Sequence, residues 1–230
     1  MVLGNIVIQM SDAIVLLSGG LDSTVVLAQA MRECDRVIAL SFRYGQRHSK
    51  ELDSAKAVAG HYGIEHKIID IDLSSFRSSL TDRSFEIEKD RKEIGTDIPD
   101  TYVPARNIIM LSVAAGLCES CGAGKIYIGA NAIDYSGYPD CRKEFFDAFE
   151  EMIKKGTKAG TEGNAVKVMT PIINMSKAEI VKLGKALNAP LHLTWSCYSG
   201  GEEACGHCDS CILRLKGFSE AGYTDEVRYK

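Results

Sequence analysis

Two short stretches carry residue types that could do chemistry. The first, Ser18-Gly19-Gly20-Leu21-Asp22-Ser23-Thr24, separates an apolar run from a longer apolar stretch. It presents consecutive backbone amides, hydroxyls and one carboxylate, and no lysine. Amides and hydroxyls gathered in a glycine-rich turn ahead of a helix suit an anion, phosphate above all. The second stretch places Cys197, Cys205, Cys208 and Cys211 in a C-x7-C-x2-C-x2-C spacing, with polar Gly206, His207, Asp209 and Ser210 between and beside them. Four thiolates close a tetrahedron around a structural zinc, and such close spacing lets a small subdomain fold around the ion. C-x2-C-x2-C also begins a ferredoxin-type run, but the C-x3-C-P continuation is absent, so zinc is expected rather than an iron–sulfur cluster. Cys118 and Cys121 end an apolar helical stretch and read as core or helix-end thiols, as do Cys34 and Cys141.

The elements that must position these groups are legible as alternating patterns. Residues 13–17, 36–42, 66–71, 125–129 and 166–172 are short β-branched apolar runs and predict strands. Between them, Leu52, Ala55, Val58, Ala59 and Tyr62 share one helical face, as do Phe145, Phe146, Phe149, Met152 and Ile153. Ser176 and Glu179 form an S-x-x-E capping box that opens a further helix, closed by Asn188, Ala189 and Pro190. Alternation of strand and helix predicts an α/β fold, a doubly wound, mostly parallel five-stranded sheet covered on both faces. The glycine-rich turn follows the first strand, where ligands bind in such sheets. Residues 73–104 show no sustained period, and a lid over a site and a solvated loop both fit them. The expected division is a nucleotide domain over residues 1–190 and a small zinc-binding subdomain, built on the four cysteines, over 191–230 and packed on it.

Composition excludes several classes. At 230 residues, 45% hydrophobic and 25% charged, the chain is an ordinary globular one. With 27 basic against 31 acidic residues, a net charge of −4, and no long basic run, a nucleic-acid partner is disfavoured. No window approaches a membrane span, and the first residues lack the pattern of a secretory leader, so a cytoplasmic location is expected.

The turn matches neither the Walker loop, which needs a lysine, nor the dinucleotide fingerprint G-x-G-x-x-G. It does resemble the PP-loop signature S-G-G-x-D-S of ATP pyrophosphatases at every specified position from Ser18 to Ser23. That resemblance implies a loop gripping the pyrophosphate end of ATP while a substrate oxygen attacks the α-phosphorus. "YGQRHSKE", "YVPARN", "IGANAIDYSGYPDCRKEF" and "TWSCY" running into "CGHCDSC" further resemble the 7-cyano-7-deazaguanine synthase family of the queuosine and archaeosine pathways.

The family resemblance implies an adenine nucleotide alpha hydrolase-like fold and an ATP-dependent C–N ligase acting on 7-carboxy-7-deazaguanine and ammonia. It implies ATP with magnesium as cosubstrate, one structural zinc per chain, and a homodimer. Ser18, Gly19, Gly20, Leu21, Asp22, Ser23 and Thr24 would hold ATP, with Asp22 on the magnesium. Asp22, Ser23, Arg106 and Lys177 would serve catalysis, the last two as partners of the phosphates. Tyr44, Gln46, Asn131, Asp134, Tyr138, Asp140 and Arg142 would receive the deazaguanine, and His48 is either catalytic or structural. An Asp22→Asn change is expected to lower turnover by orders of magnitude while leaving the fold intact. Two rivals stand beside this reading. A tRNA-thiolating PP-loop adenylase would be expected to show a basic surface and an RNA-binding domain, and a non-catalytic nucleotide-binding module would bind ATP without releasing pyrophosphate.

Overall fold

The computed structural model describes residues 12–46, 49–82, 84, 89–90, 98, 100–133 and 138–230. Strands and helices alternate as β1 (Ala13–Leu16), α1 (Leu21–Glu33), β2 (Val37–Arg43), α2 (Lys50–Tyr62), β3 (Glu65–Asp70), α3 (Arg106–Cys121) and β4 (Lys125–Ile128). They continue as α4 (Lys143–Gly156), α5 (Lys158–Thr161), β5 (Lys167–Met169), α6 (Lys177–Ala186) and α7 (Asp209–Ala221). The five strands form one sheet in the order β3-β2-β1-β4-β5, every pairing parallel. The chain winds outward from β1 through β2 and β3, then returns to add β4 and β5 on the other side. The switch point therefore lies between β1 and β4, beside the glycine-rich turn.

Period-two alternation along β1 divides the core. Ile14 and Leu16 pack with Leu111 and Ala115 of α3 and with Phe146 and Phe149 of α4. Ala13 and Val15 face the other way, onto α1, α2, α6 and Phe218 of α7. Both faces are covered by helices, which is why strands of a parallel sheet read as unbroken apolar runs. β5 is shorter than its apolar run predicts, because Pro171 has no N–H to give to a ladder. The capping box is present as read: Ser176 Oγ accepts from Glu179 N–H, and the Glu179 carboxylate accepts from Ser176 N–H at 2.8 Å. Asn188 closes the helix with φ 55°.

No helix or strand occurs among the described residues of 73–104, yet parts of this segment are tied to the core. Leu73 and Val103 are buried, and Ser79 N–H donates to the Asp100 carbonyl at 2.8 Å. No described helix is long and apolar enough to cross a membrane.

Candidate active site

The turn after β1 is shaped by two constraints. Gly19 holds φ 89°, and a Cβ there would lie 2.1 Å from the Glu51 carbonyl oxygen, so only glycine lets α2 close on the loop. Gly20 then starts α1 with no side-chain cap, leaving the first amides of that helix available to an anion. The loop hydroxyls bind one another: Ser18 Oγ and Ser23 Oγ are 2.9 Å apart, and Gly20 N–H donates to Ser18 Oγ at 3.2 Å. Thr24 is fully buried, and its hydroxyl finds no partner among the described residues.

A cavity of ≈ 260 Å³ opens over this loop at the carboxyl ends of β1, β2 and β4. Of the loop residues singled out from the sequence, Ser18, Gly20, Leu21, Asp22 and Ser23 line it; Gly19 faces α2 and Thr24 the core. Lys177, the first residue of α6, reaches across and binds both oxygens of Asp22, at 2.8 Å each. Their side chains are 9% and 16% exposed, so this is a nearly buried ion pair.

Arg106 begins α3 on the opposite wall. Ala105 before it adopts φ 56°, a left-handed conformation rare outside glycine, and this turn delivers the guanidinium to the cavity. Its neighbour Asn107 donates its backbone N–H to Asp140 Oδ2 at 3.1 Å and its side-chain amide to the Asp140 carbonyl at 3.0 Å. Asp140 is thus buried behind Arg106 and not on the cavity wall. Arg142 lies exposed at the start of α4.

Tyr44, Gln46, Asn131 and Tyr138 line the cavity. Gln46 spends its amide locally, accepting from Tyr44 N–H at 2.8 Å and donating to the Phe42 carbonyl at 3.2 Å, which fixes the turn after β2. Asn131 donates to the Ile172 and Met175 carbonyls at 3.2 and 2.5 Å and so joins the segments that follow β4 and β5. Tyr138 shares a 2.5 Å hydrogen bond with Thr101, and its ring lies 5.8 Å from that of Tyr102. Burial raises the Tyr44 and Tyr138 phenols above their ordinary value, so both stay neutral donors. Asp134 and His48 lie outside the described residues.

Several cavity residues escaped the sequence reading, among them Glu51, Trp195 and Arg214. Glu51 was visible only as part of "YGQRHSKE", Trp195 only as part of "TWSCY", and Arg214 lies inside α7 with no local signal. Trp195 N–H donates to the Gly19 carbonyl at 2.9 Å, and its indole N–H to the Cys197 carbonyl at 2.9 Å.

That tryptophan leads into the four cysteines. Their sulfurs are buried and lie within 4.8 Å of one another, and Cys205 Sγ is 4.0 Å from Cys211 Sγ. A tetrahedron with metal–sulfur bonds of about 2.3 Å has edges of about 3.8 Å, so the four fit one ion. Cys205 N–H donates to Cys197 Sγ at 3.3 Å, which favours thiolate over thiol at Cys197, and His207 and Cys208 N–H donate to Cys205 Sγ at 3.4 Å. The cluster could hold a metal ion.

A hydroxyl-rich glycine turn that opens a helix at the switch point of a parallel sheet suits phosphate, and here its sequence is S-G-G-x-D-S. This is the arrangement of the PP-loop enzymes. Within that class the chain belongs to one family, since residues 12–222 match the model described as Queuosine biosynthesis protein QueC. A 7-cyano-7-deazaguanine synthase of Acetivibrio thermocellus is 57% identical over 221 residues, covering 96% of this chain and 98% of its own. The enzymes of the same name from Picrophilus torridus and Thermoplasma volcanium are each 54% identical, over 96% and 94% of this chain and 92% and 90% of their own.

Proposed function

We propose that this chain converts 7-carboxy-7-deazaguanine, ammonia and ATP to 7-cyano-7-deazaguanine through two adenylations in one cavity. The observation that carries the reading is the family match over residues 12–222, at over half identity to enzymes of that name. Making a nitrile from a carboxylate removes two oxygens from one carbon, each a poor leaving group in water. Esterifying each in turn to the α-phosphorus solves this: the acid oxygen attacks first, ammonia displaces AMP to leave an amide, and the amide oxygen attacks a second ATP. Loss of AMP then leaves the nitrile.

The chain's own groups divide this work. The amides and hydroxyls from Ser18 to Ser23 hold the pyrophosphate, which as leaving group gains negative charge. Lys177 and Arg106 face it from two sides, Arg106 through a guanidinium suited to bidentate phosphate contact. In the free enzyme Lys177 and Asp22 satisfy each other; when ATP binds, Lys177 turns to phosphate and Asp22 to magnesium, so neither charge is left alone. Asp22 would hold magnesium against the phosphates, and the ion would supply positive charge to the leaving group. Tyr44 and Tyr138 supply neutral donors and flat faces for the deazaguanine, Gln46 and Asn131 fix the turns that shape its site, Asp134 is a further candidate there, and Asp140 acts indirectly by holding the start of α3. Zinc at Cys197, Cys205, Cys208 and Cys211 is structural. We further propose that residues 191–230 form a subdomain around that ion, packed on a nucleotide domain of residues 1–190, and that the enzyme is a cytoplasmic homodimer.

Heavy-oxygen labelling tests the reaction. With labelled carboxylate, label should enter AMP in both steps, and the amide supplied alone should yield nitrile with ATP and no ammonia. Label in inorganic phosphate, with ADP as co-product, would overturn it.

A further inference from the structure

Glu51 stands in the first turn of α2 and lines the cavity. Lys177 engages Asp22, but the Glu51 carboxylate makes no hydrogen bond or ion pair among the described residues. Its position relative to the loop is tight, because its backbone carbonyl is the atom that a Cβ on Gly19 would strike. Its carboxylate is within electrostatic reach of Arg106, assigned above to the phosphates, and of Tyr44, assigned above to the base, so it stands where those two ends of the cavity meet. A carboxylate there is repelled by phosphates and by an acid substrate. It suits a cation, and of the three substrates only ammonia arrives as one.

We propose that Glu51 binds the ammonium ion beside the reacting carbon and takes a proton from it as the nitrogen attacks the acyl-adenylate, an assignment that rests on the reaction proposed above. Ammonium gives one proton to Glu51, and the freed lone pair forms the C–N bond. The bond from the acyl carbon to the phosphate oxygen breaks, AMP leaves with that electron pair, and a second N–H proton passes to solvent. Acyl-adenylate and ammonium thus become amide, AMP and two protons.

Burial raises the Glu51 carboxyl to about 7, Arg106 opposing the shift and Cys197 adding to it. The groups facing Glu51 are Arg106 from α3, Tyr44 from the end of β2 and Cys197 beyond Trp195; adjacent Lys50 lies over the Trp195 ring at 5.0 Å. Four thiolates on a divalent ion keep a net negative charge, so the sign of the Cys197 contribution survives metal binding.

The experiment compares full-length, metal-loaded wild type with Glu51→Gln at neutral pH. It measures acid-dependent ATP–pyrophosphate exchange without ammonium, amide formation across an ammonium titration, and hydroxamate formation with hydroxylamine, a nucleophile largely unprotonated at that pH. Amide formation should fall about 10²-fold with a raised KM for ammonium, exchange and the KM for the acid should change far less, and hydroxylamine should be used nearly as well as by wild type. Glu51→Asp, which keeps the charge and shortens its reach, should show the same split, and it answers the question if the glutamine variant fails to fold. Exchange and amide formation falling together, or a raised KM for the deazaguanine instead, would overturn the assignment. Absence of acid-dependent exchange in wild type would instead overturn the reaction on which it rests.

Discussion

Asp22 and Lys177 show why a substitution at the proposed magnesium ligand is not only a test of chemistry. Asp22→Asn is expected to lower turnover by orders of magnitude, but the pair is nearly buried, and removing the carboxylate withdraws the partner of a charge held away from water. Breaking a buried pair from one side costs about 3 kcal/mol or more, so the variant should also melt lower than wild type. This revises the sequence-based expectation of an intact fold. The double variant Asp22→Asn/Lys177→Met should recover much of the stability in a calorimetric melt while remaining inactive. Glu51 acts in the opposite sense. Its carboxyl is raised from 4.5 to about 7, so the folded chain holds this proton more tightly than the unfolded one. Stability is therefore undiminished below about 4.5, declines as pH rises toward 7, and at higher pH carries a penalty of up to about 3 kcal/mol. In ligand-free protein, Glu51→Gln should raise the melting temperature at about pH 8 and leave it unchanged near pH 4.

The PP-loop is held from outside as much as by its own sequence. Trp195 bonds Gly19 through its backbone and Cys197 through its indole, so one residue links the cysteine cluster to the nucleotide loop. Metal removal should therefore disturb nucleotide binding before it unfolds the sheet. Chelation, or Cys208→Ser, is expected to weaken ATP binding about tenfold, roughly 1.4 kcal/mol, at temperatures where far-ultraviolet circular dichroism is still native. Equilibrium titration with a non-hydrolysable ATP analogue checks this, and unchanged affinity would make the cluster a separate stabiliser. On the other side of the loop, Gly19→Ala would need both a left-handed alanine and a displaced α2 backbone. Its activity should be lost even where the protein is soluble, since the loop cannot keep its shape with α2 in place.

Across the whole molecule, the carboxyl-terminal segment closes the cavity through one buried network. Arg214, in α7, donates to Asp225 at 2.7 and 2.9 Å, to Thr194 Oγ1 at 2.7 Å and to the Leu191 carbonyl at 3.3 Å, while Tyr229 donates its hydroxyl to Asp225 at 2.6 Å. Burial works against the Asp225 charge, but the Arg214 guanidinium outweighs it and holds the carboxyl below its ordinary value. A depressed carboxyl contributes stability above its unfolded value of 3.8 that is lost as pH falls through the folded value. Asp225→Asn should thus destabilise the protein at neutral pH and flatten its acid limb. Together with the Glu51 penalty at higher pH, this places maximal stability of the ligand-free chain on the mildly acid side of neutrality, which a series of thermal melts across pH would test.

Contiguous chemistry was readable from the residues alone. The turn over residues 18–24, the cysteine spacing, the capping box of Ser176 and Glu179, and the alternation that makes a parallel sheet are all local, because each depends on neighbours a few positions apart along the chain. What joins distant positions was not. The Asp22–Lys177 pair spans 155 residues, and Glu51 faces Gly19 only because β1 and β2 are parallel neighbours that carry α1 and α2 to one side. Trp195 meets the same loop only after the chain has crossed the sheet. Asp140 looked like a ligand by its place after β4, but packing turned it behind Arg106, where it holds the start of α3. Residue types and spacing determined the family and the kind of ligand. The tertiary structure decided which charges meet, since that depends on helix packing across the sheet, which no local pattern encodes.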